Sequence, residues 1–257
     1  MAFEGKVVLI TGASSGIGEG TAIQFAAQGA RVAITGRNRD RLTETLNKCK
    51  KPTSGRSHLM VVGDVTREGD AKMIINSTIL HFGRLDILVN NAGILETGSI
   101  ETTTLEQYDR IMTTNVRSVY HLTMLAVPHL IETKGNIVNV SSTGGLRSFP
   151  GVLSYCISKS AVDQFTKCVA LELGPKGVRV NAVNPGLIVT ELHKRGGMDD
   201  AAYDELVDRC KITHPLGRAG TVDEVADGIL FLASDKASFM TGATMPIGGG
   251  RDLTCPR

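Results

Sequence analysis

Short β-branched runs alternate with longer, helix-patterned segments, and this alternation limits the chain to very few folds. The runs fall at 7–10, 32–35, 59–62, 87–89, 137–140 and 178–183. Most are continuous apolar stretches, as expected of parallel strands covered on both faces. Between them apolar residues recur at helical spacing, for example from 17 to 27 and from 74 to 82. Gly29 and Gly83 are placed to stop those two helices. Repeated β-α-β order predicts one parallel sheet with right-handed crossovers. The 257 residues show no composition shift, fixed repeat or low-complexity tract, so one domain is expected.

Composition removes several function classes. A net charge of +2 leaves no basic stripe for nucleic acid or a membrane surface. The five cysteines include no C-x-x-C pair, which argues against a zinc site or disulfide framework and for a reducing compartment. No metal is expected. No apolar run approaches the ~18 residues needed to span a bilayer, and the first residues lack a signal peptide's apolar stretch. Cys255 stands third from the end, where a prenylation box needs a fourth-from-last cysteine. The cytoplasm is the expected compartment.

After the first run comes Thr11-Gly12-Ala13-Ser14-Ser15-Gly16-Ile17-Gly18. Glycines let this backbone turn tightly and approach a pyrophosphate. A helix starting near Gly16 offers that anion free N–H groups and its positive dipole end. An ordinary glycine-rich turn is the plainer reading. Further segments weigh against it: Asn90-Asn91-Ala92-Gly93 at the fourth strand's end, Asn115, Ser141-Ser142 after the fifth strand, Tyr155-x-x-x-Lys159, and Asn184-Pro185-Gly186 with Thr190 beyond. In this order and over nearly its whole length the chain resembles the short-chain dehydrogenase/reductase family. That resemblance implies a Rossmann-like, doubly wound α/β fold of about seven parallel strands with helices on both faces.

Tyr155 and Lys159 are four apart in a stretch, 154–173, that reads as helix, so they share one face. A phenol is a poor base at neutral pH. An ammonium ~4 Å away, at an effective dielectric of ~20, would favour the phenolate by roughly 4 kcal/mol. That is about three pKa units, enough to bring Tyr155 near neutrality. The resemblance implies that Tyr155 is the acid/base and that Lys159 also holds the nicotinamide ribose. Ser142 would position the carbonyl, and Asn115 would support a proton-relay water, although a buried Asn often only ties up backbone.

The same resemblance assigns cofactor contacts to Gly12, Ser14, Ser15, Gly16, Ile17, Gly18, Asp64, Val65, Asn91, Ala92, Gly93, Pro185, Gly186, Ile188 and Thr190. Asp64 also suits a plain helix cap. The residues after the second strand, Gly36-Arg37-Asn38-Arg39, lack the acid that NAD specificity usually needs. An Arg fork suits a 2′-phosphate, so NADP(H) is expected, with Arg37 as its partner, unless the two arginines merely solvate a loop. Asp40 should lie inside the next helix.

Ile94, Leu95, Leu146, Phe149, Val152, Leu187, Leu192 and Met198 are candidates for a pocket. All are apolar, which predicts a small lipophilic carbonyl or alcohol and no group to bind a charge. Two other functions stay open: reduction of a 3-oxoacyl thioester, with His193-Lys194-Arg195 as a basic entrance, and a silent NADP-binding regulatory protein. The segment 187–215 should be a substrate lid. In it Gly196-Gly197 is the hinge, 201–211 one helix, and residues 193–195 face solvent. Long helices over 105–131 and 154–173 carry Ile111, Val119, Leu122, Leu125, Ala126, Val162, Phe165, Val169 and Ala170, more apolar positions than water tolerates. A homodimer or homotetramer is therefore expected. Many relatives carry an Asp before the C-terminal glycine pair; here the sequence is Met245-Pro246-Ile247-Gly248-Gly249.

Overall fold

The computed structural model describes residues 2–52 and 55–254; Cys255, weighed above for prenylation, lies outside them. The strands are β1 (Val7–Thr11), β2 (Arg31–Gly36), β3 (Leu59–Val62), β4 (Ile87–Asn90), β5 (Asn136–Val140), β6 (Arg179–Pro185) and β7 (Thr244–Ile247). They form one sheet in the order β3-β2-β1-β4-β5-β6-β7, and every pairing is parallel. β7 has no β-branched run to announce it, and its Pro246 suits only an edge strand.

Helices connect the strands: α1 (Gly16–Ala27), α2 (Arg39–Lys48), α3 (Glu68–Phe82), α4 (Leu105–Met112), α5 (Ser118–Thr133), α6 (Thr143–Leu146) and α7 (Leu153–Leu173). After β6 come α8 (Leu192–Arg195), α9 (Asp200–Asp208), α10 (Cys210–Thr213) and α11 (Val222–Ala233). Their ends obey local chemistry. Gly83 terminates α3 at φ +75°, a conformation that costs glycine nothing. Thr221 and Glu224 make a reciprocal capping box on α11. Asn38 caps α2 through the N–H of Arg41, and Asp40 lies within that helix.

The side-chain period of two divides each strand between two cores. Val8 and Ile10 of β1 join Val32 and Ile34 of β2 in the layer of α1 and α11, with Phe25, Val225 and Ile229. Val7 and Leu9 face the opposite layer, with Ile74 of α3, Leu122 and Leu130 of α5, and Leu173 of α7. Strand order reverses between β1 and β4, which leaves a crevice beyond their carboxyl ends, where open α/β sheets bind ligands.

Three expectations need correction. The stretch 105–131 is not one regular helix: a π-helical turn, Thr113–Arg117, separates α4 from α5. The stretch 201–211 is divided between α9 and α10. Finally, Ile111, Val119, Leu122, Ala126, Val162 and Ala170 are buried within the single chain, so packing inside one chain accounts for most of the apolar excess. The apolar residues left exposed on these helices are others: Leu105, Tyr120, Met124, Ile157 and Leu171.

Candidate active site

A cleft of about 690 Å³ opens at the strand-order reversal. One end is a glycine cradle. Gly12 and Gly16 have φ of +64° and +56°, and a Cβ on Gly12 would lie 2.8 Å from the Cα of Ala92. Only glycine fits such an approach. Thr11 Oγ1 accepts from the N–H groups of Asn91 (3.0 Å) and Ala92 (2.9 Å). Asn91 Nδ2 donates to the carbonyls of Thr11 (2.8 Å) and Gly12 (3.2 Å). These bonds fix the β4 turn against the β1 loop, while the first turn of α1 keeps N–H groups with no helical partner. The cradle therefore fits a dinucleotide pyrophosphate.

The expected cofactor residues mostly gather here. Gly12, Ser14, Ser15, Gly16, Ile17, Arg37, Asp64, Val65, Asn91, Ala92, Gly93, Pro185, Gly186, Ile188 and Thr190 all line the cleft. Gly18 does not: a Cβ there would meet Asn91 Nδ2 and the Gly12 carbonyl oxygen, each at 2.5 Å, so it packs beneath the loop. Asp64 does not cap a helix end. Its Oδ1 accepts from the Thr66 N–H (3.0 Å) and hydroxyl (2.7 Å) in a turn before α3. Burial raises its pKa, but those bonds and the charges of Arg37 and Arg67 outweigh burial and hold the carboxyl below its usual range. Arg37 is thus close to Asp64, and it is exposed on the cleft wall.

At the centre, β5 and α7 bring Ser142, Tyr155 and Lys159 together. The Ser142 side chain interacts favourably with the Tyr155 phenol, which opposes the rise in its pKa, and it accepts from the Gly144 N–H at 3.0 Å. Lys159 Nζ donates to the Val140 carbonyl at 2.9 Å and sits 5.6 Å from the centre of the Tyr155 ring. The π turn aims Asn115 inward, and its Oδ1 accepts from the Ile94 N–H at 2.9 Å. Its Nδ2 donates to the Ile94 carbonyl (2.9 Å) and to Ser158 Oγ (3.0 Å). Asn115 therefore does tie up backbone. It also flanks Gly93, where a Cβ would come within 3.3 Å of Asn115 Oδ1 and 3.5 Å of Lys159 Nζ.

The electrostatics correct the phenolate expectation. Burial pushes Tyr155 up to about 12, against the lowering by the Ser142 bond. Burial pushes Lys159 down to about 8, with Asp163 opposing. Desolvation dominates both shifts, and the ammonium donates to the Val140 backbone carbonyl. The pair as it stands is a protonated phenol beside a lysine that titrates just above neutrality.

Ile94, Leu95, Phe149, Val152, Leu187, Leu192 and Met198 line the rest of the cleft; Leu146 is 38% exposed and lies outside it. Gly196 ends α8, and a Cβ there would meet the Leu95 carbonyl at 2.6 Å. The segment 193–195 does not simply face solvent. His193 lines the cleft, Lys194 pairs with Asp200 at 2.6 Å, and Arg195 donates to Ser15 Oγ at 3.1 Å across the mouth. The cleft is also not purely apolar, since Arg209, His214 and Arg251 line its far end.

Two supporting residues, Asp163 and Tyr203, escaped the sequence reading, and Asn184 was read there only as part of a motif. Asp163, one turn beyond Lys159, is 4% exposed and accepts from Asn184 Nδ2 at 3.0 Å, which also donates to the Ser142 carbonyl at 2.9 Å. Tyr203 donates to the Thr190 carbonyl (3.1 Å) and accepts from its N–H (3.3 Å). The i, i+4 spacing of Lys159 and Asp163 was a legible signal; nothing in the sequence joins Asn184 or Tyr203 to their partners.

The model of the family described as enoyl-(acyl carrier protein) reductase matches residues 12–252. The chain is 41% identical to an uncharacterized oxidoreductase of Thermotoga maritima, over 97% of its own length and 98% of the relative's. It is 39% identical to a 3-oxoacyl-(acyl-carrier-protein) reductase of the same organism, over 97% and 99%. A solved structure of a short-chain dehydrogenase/reductase of unknown function from Caenorhabditis elegans, with cofactor, superposes with a TM-score of 0.92 at 40% identity, covering 99% of this chain and 98% of that one.

Proposed function

The chain belongs to the short-chain dehydrogenase/reductase family, an oxidoreductase family that uses nicotinamide cofactors, and from that premise we propose that it reduces the carbonyl of a small substrate at the expense of NADPH. The observation that carries this reading is the convergence of Ser142, Tyr155 and Lys159 on one cleft floor beside the glycine cradle. When bound, the nicotinamide supplies or accepts the hydride. The chain's own residues do the rest. Tyr155 holds a proton at its hydroxyl for the substrate oxygen, and burial keeps that proton in place at neutral pH. Ser142 shares the hydrogen bond and orients the same oxygen. Lys159 carries positive charge below about pH 8 and stabilises the phenolate left behind. Asn115 fixes the backbone of Ile94 beside them, and the apolar walls exclude water.

Arg37 supports NADP(H) over NAD(H). It directly follows β2, where NAD specificity usually needs a carboxylate and this chain has none, while Asn38 is committed to capping α2. Arg37→Asp should weaken NADPH binding by roughly tenfold or more, the loss of a charge-assisted hydrogen bond to phosphate, and shift preference toward NADH. Fluorescence titration with both cofactors checks this. A wild-type protein that already prefers NADH would overturn the cofactor assignment.

Reduction of a 3-oxoacyl thioester is the competing substrate class, favoured by the Thermotoga maritima relative. The basic run meant to receive an acidic carrier is engaged elsewhere, with Lys194 on Asp200 and Arg195 on Ser15. A substrate screen reading NADPH oxidation, with diacetyl and a quinone beside a 3-oxoacyl thioester, separates the two. No turnover of any carbonyl would instead favour a silent NADP-binding protein.

The reading includes a homo-oligomer. Tyr120 and Met124 of α5 are 60% and 55% exposed, and Leu171 of α7 is 81% exposed. A two-fold contact between such helices would bury upwards of ~1,200 Å². Light scattering should return a multiple of 27.3 kDa; a clean monomer mass at micromolar concentration removes this part of the reading.

A further inference from the structure

The far end of the cleft holds two unsatisfied polar side chains. His214 is 4% exposed; its Nδ1 meets Thr213 Oγ1 at 3.1 Å, and its Nε2 is buried with no partner. The Arg251 guanidinium lies 4.8 Å over the Phe149 ring, and its Nη1 is buried with no partner. Both residues line the cleft. Leaving such groups unpaired costs about 1–3 kcal/mol each, more for a charged one, so a native site holds them in that state when a ligand completes them.

A structural arginine in this protein looks different. Arg147 Nη1 donates to the carbonyls of Asp252 and Thr254, both at 2.8 Å, and so fastens the C-terminal tail. Arg179 donates in the same way to the carbonyls of Leu232 (2.8 Å) and Ser234 (3.1 Å). Arg251 has no such bond and, among the described residues, no ion pair. Burial lowers its pKa, Cys210 opposes that shift, and the like charges of Arg147 and Arg209 add to the lowering. The like charges of Arg147 and Arg209 near this half-buried guanidinium favour an anion there, and the aromatic ring beneath it fixes the orientation of the fork.

We infer that the substrate carries an anionic group of the carboxylate class, remote from the reacting carbonyl, and that Arg251 and His214 hold it at the far end of the cleft. The cradle and Arg37 already answer for the cofactor's phosphates, whereas Arg251 and His214 contact Phe149 and Thr213, which belong to neither. The apolar side chains between, among them Phe149 and Val152, would cover the carbon chain joining the two functional groups. The inference rests on the oxidoreductase reading only for the identity of the ligand as substrate.

Binding tests it without turnover. Methyl-ketone carboxylates with increasing numbers of methylenes, and their primary amides, would be titrated calorimetrically into the full chain. At the best length the acid should bind at least about tenfold tighter than its amide, the margin of a charge-assisted over a neutral hydrogen bond. Arg251→Gln should erase that margin, and Arg251→Lys should keep part of it, with circular dichroism checking that both variants are folded. Equal binding of acid and amide by the wild type overturns the inference. So does a preference that survives Arg251→Gln, which would place the anion at Arg37 or elsewhere. NADPH oxidation with the same compounds reports separately on the oxidoreductase reading: tight acid binding without turnover sinks that reading and leaves the anion site standing.

Discussion

Replacing Tyr155 with phenylalanine should lower kcat by about 10²–10⁴-fold, the usual worth of a positioned general acid, while NADPH affinity stays within a few fold. The ring remains to pack against its neighbours and only the hydroxyl is lost. No proton then stands ready for the substrate oxygen. Near-normal turnover in this variant would remove Tyr155 from the mechanism. The wild-type pH profile supplies a second test. Tyr155, pushed up to about 12, keeps its proton throughout the accessible range. Lys159, pushed down to about 8 by burial, is cationic below that pH and neutral above it. The charge favours loss of the phenol proton, so kcat/KM for reduction should be level below about pH 8 and fall as pH rises through it. A profile that stays flat to pH 10, with the protein still folded, would separate Lys159 from the proton transfer.

That profile differs from what the sequence alone implies. Spacing places Tyr155 and Lys159 on one helical face, and the structure agrees. Spacing cannot say where the ammonium points. Val140 at the end of β5 offers Lys159 a carbonyl, and the low-polarity floor of the cleft penalises both charged forms. The sign of a pKa shift depends on that balance, which is a tertiary property. The π turn around Asn115 was hidden because no residue type announces it and the apolar spacing on each side of it still reads as helix.

The strands were the most legible part, because residues buried on both faces leave uninterrupted apolar runs. β7 was not legible, being an edge strand interrupted by Pro246. The pocket was legible only in its apolar half. Leu95, Phe149, Leu187 and Met198 are hydrophobic residues close in sequence to the motifs. Arg251 and His214 are separated by more than thirty residues and carry no motif. They meet because the tail after β7 crosses back over α10, where the Thr254 hydroxyl donates to the Thr213 carbonyl at 2.9 Å and Arg147 holds the tail from the other side.

Gly18 shows how a motif residue can serve a site from beneath it. The glycine spacing groups it with Gly12 and Gly16 as a cofactor contact, but the cleft does not reach it. A methyl group at position 18 would stand 2.5 Å from the Gly12 carbonyl oxygen and 2.9 Å from the Gly12 carbonyl carbon. Those are backbone atoms and cannot swing aside as a side chain could. Gly18→Ala should therefore push the β1 loop off α1 and strain the bonds from Asn91 Nδ2 to the Thr11 and Gly12 carbonyls. Overpacking of this kind costs about 1–3 kcal/mol. In a chain of this size each kcal/mol lowers Tm by roughly 2–4 °C, so the cofactor-free variant should melt about 2–12 °C below wild type. Cofactor affinity should drop as well, because the displaced loop is the pyrophosphate cradle. The two readings of Gly18 separate in the cofactor-free protein. A residue that only touches the cofactor leaves the melting temperature unchanged without ligand, whereas one that seats the loop on the helix lowers it whether ligand is present or not. Differential scanning calorimetry without NADP(H) decides between them, and an unshifted Tm would return Gly18 to the role its spacing first suggested.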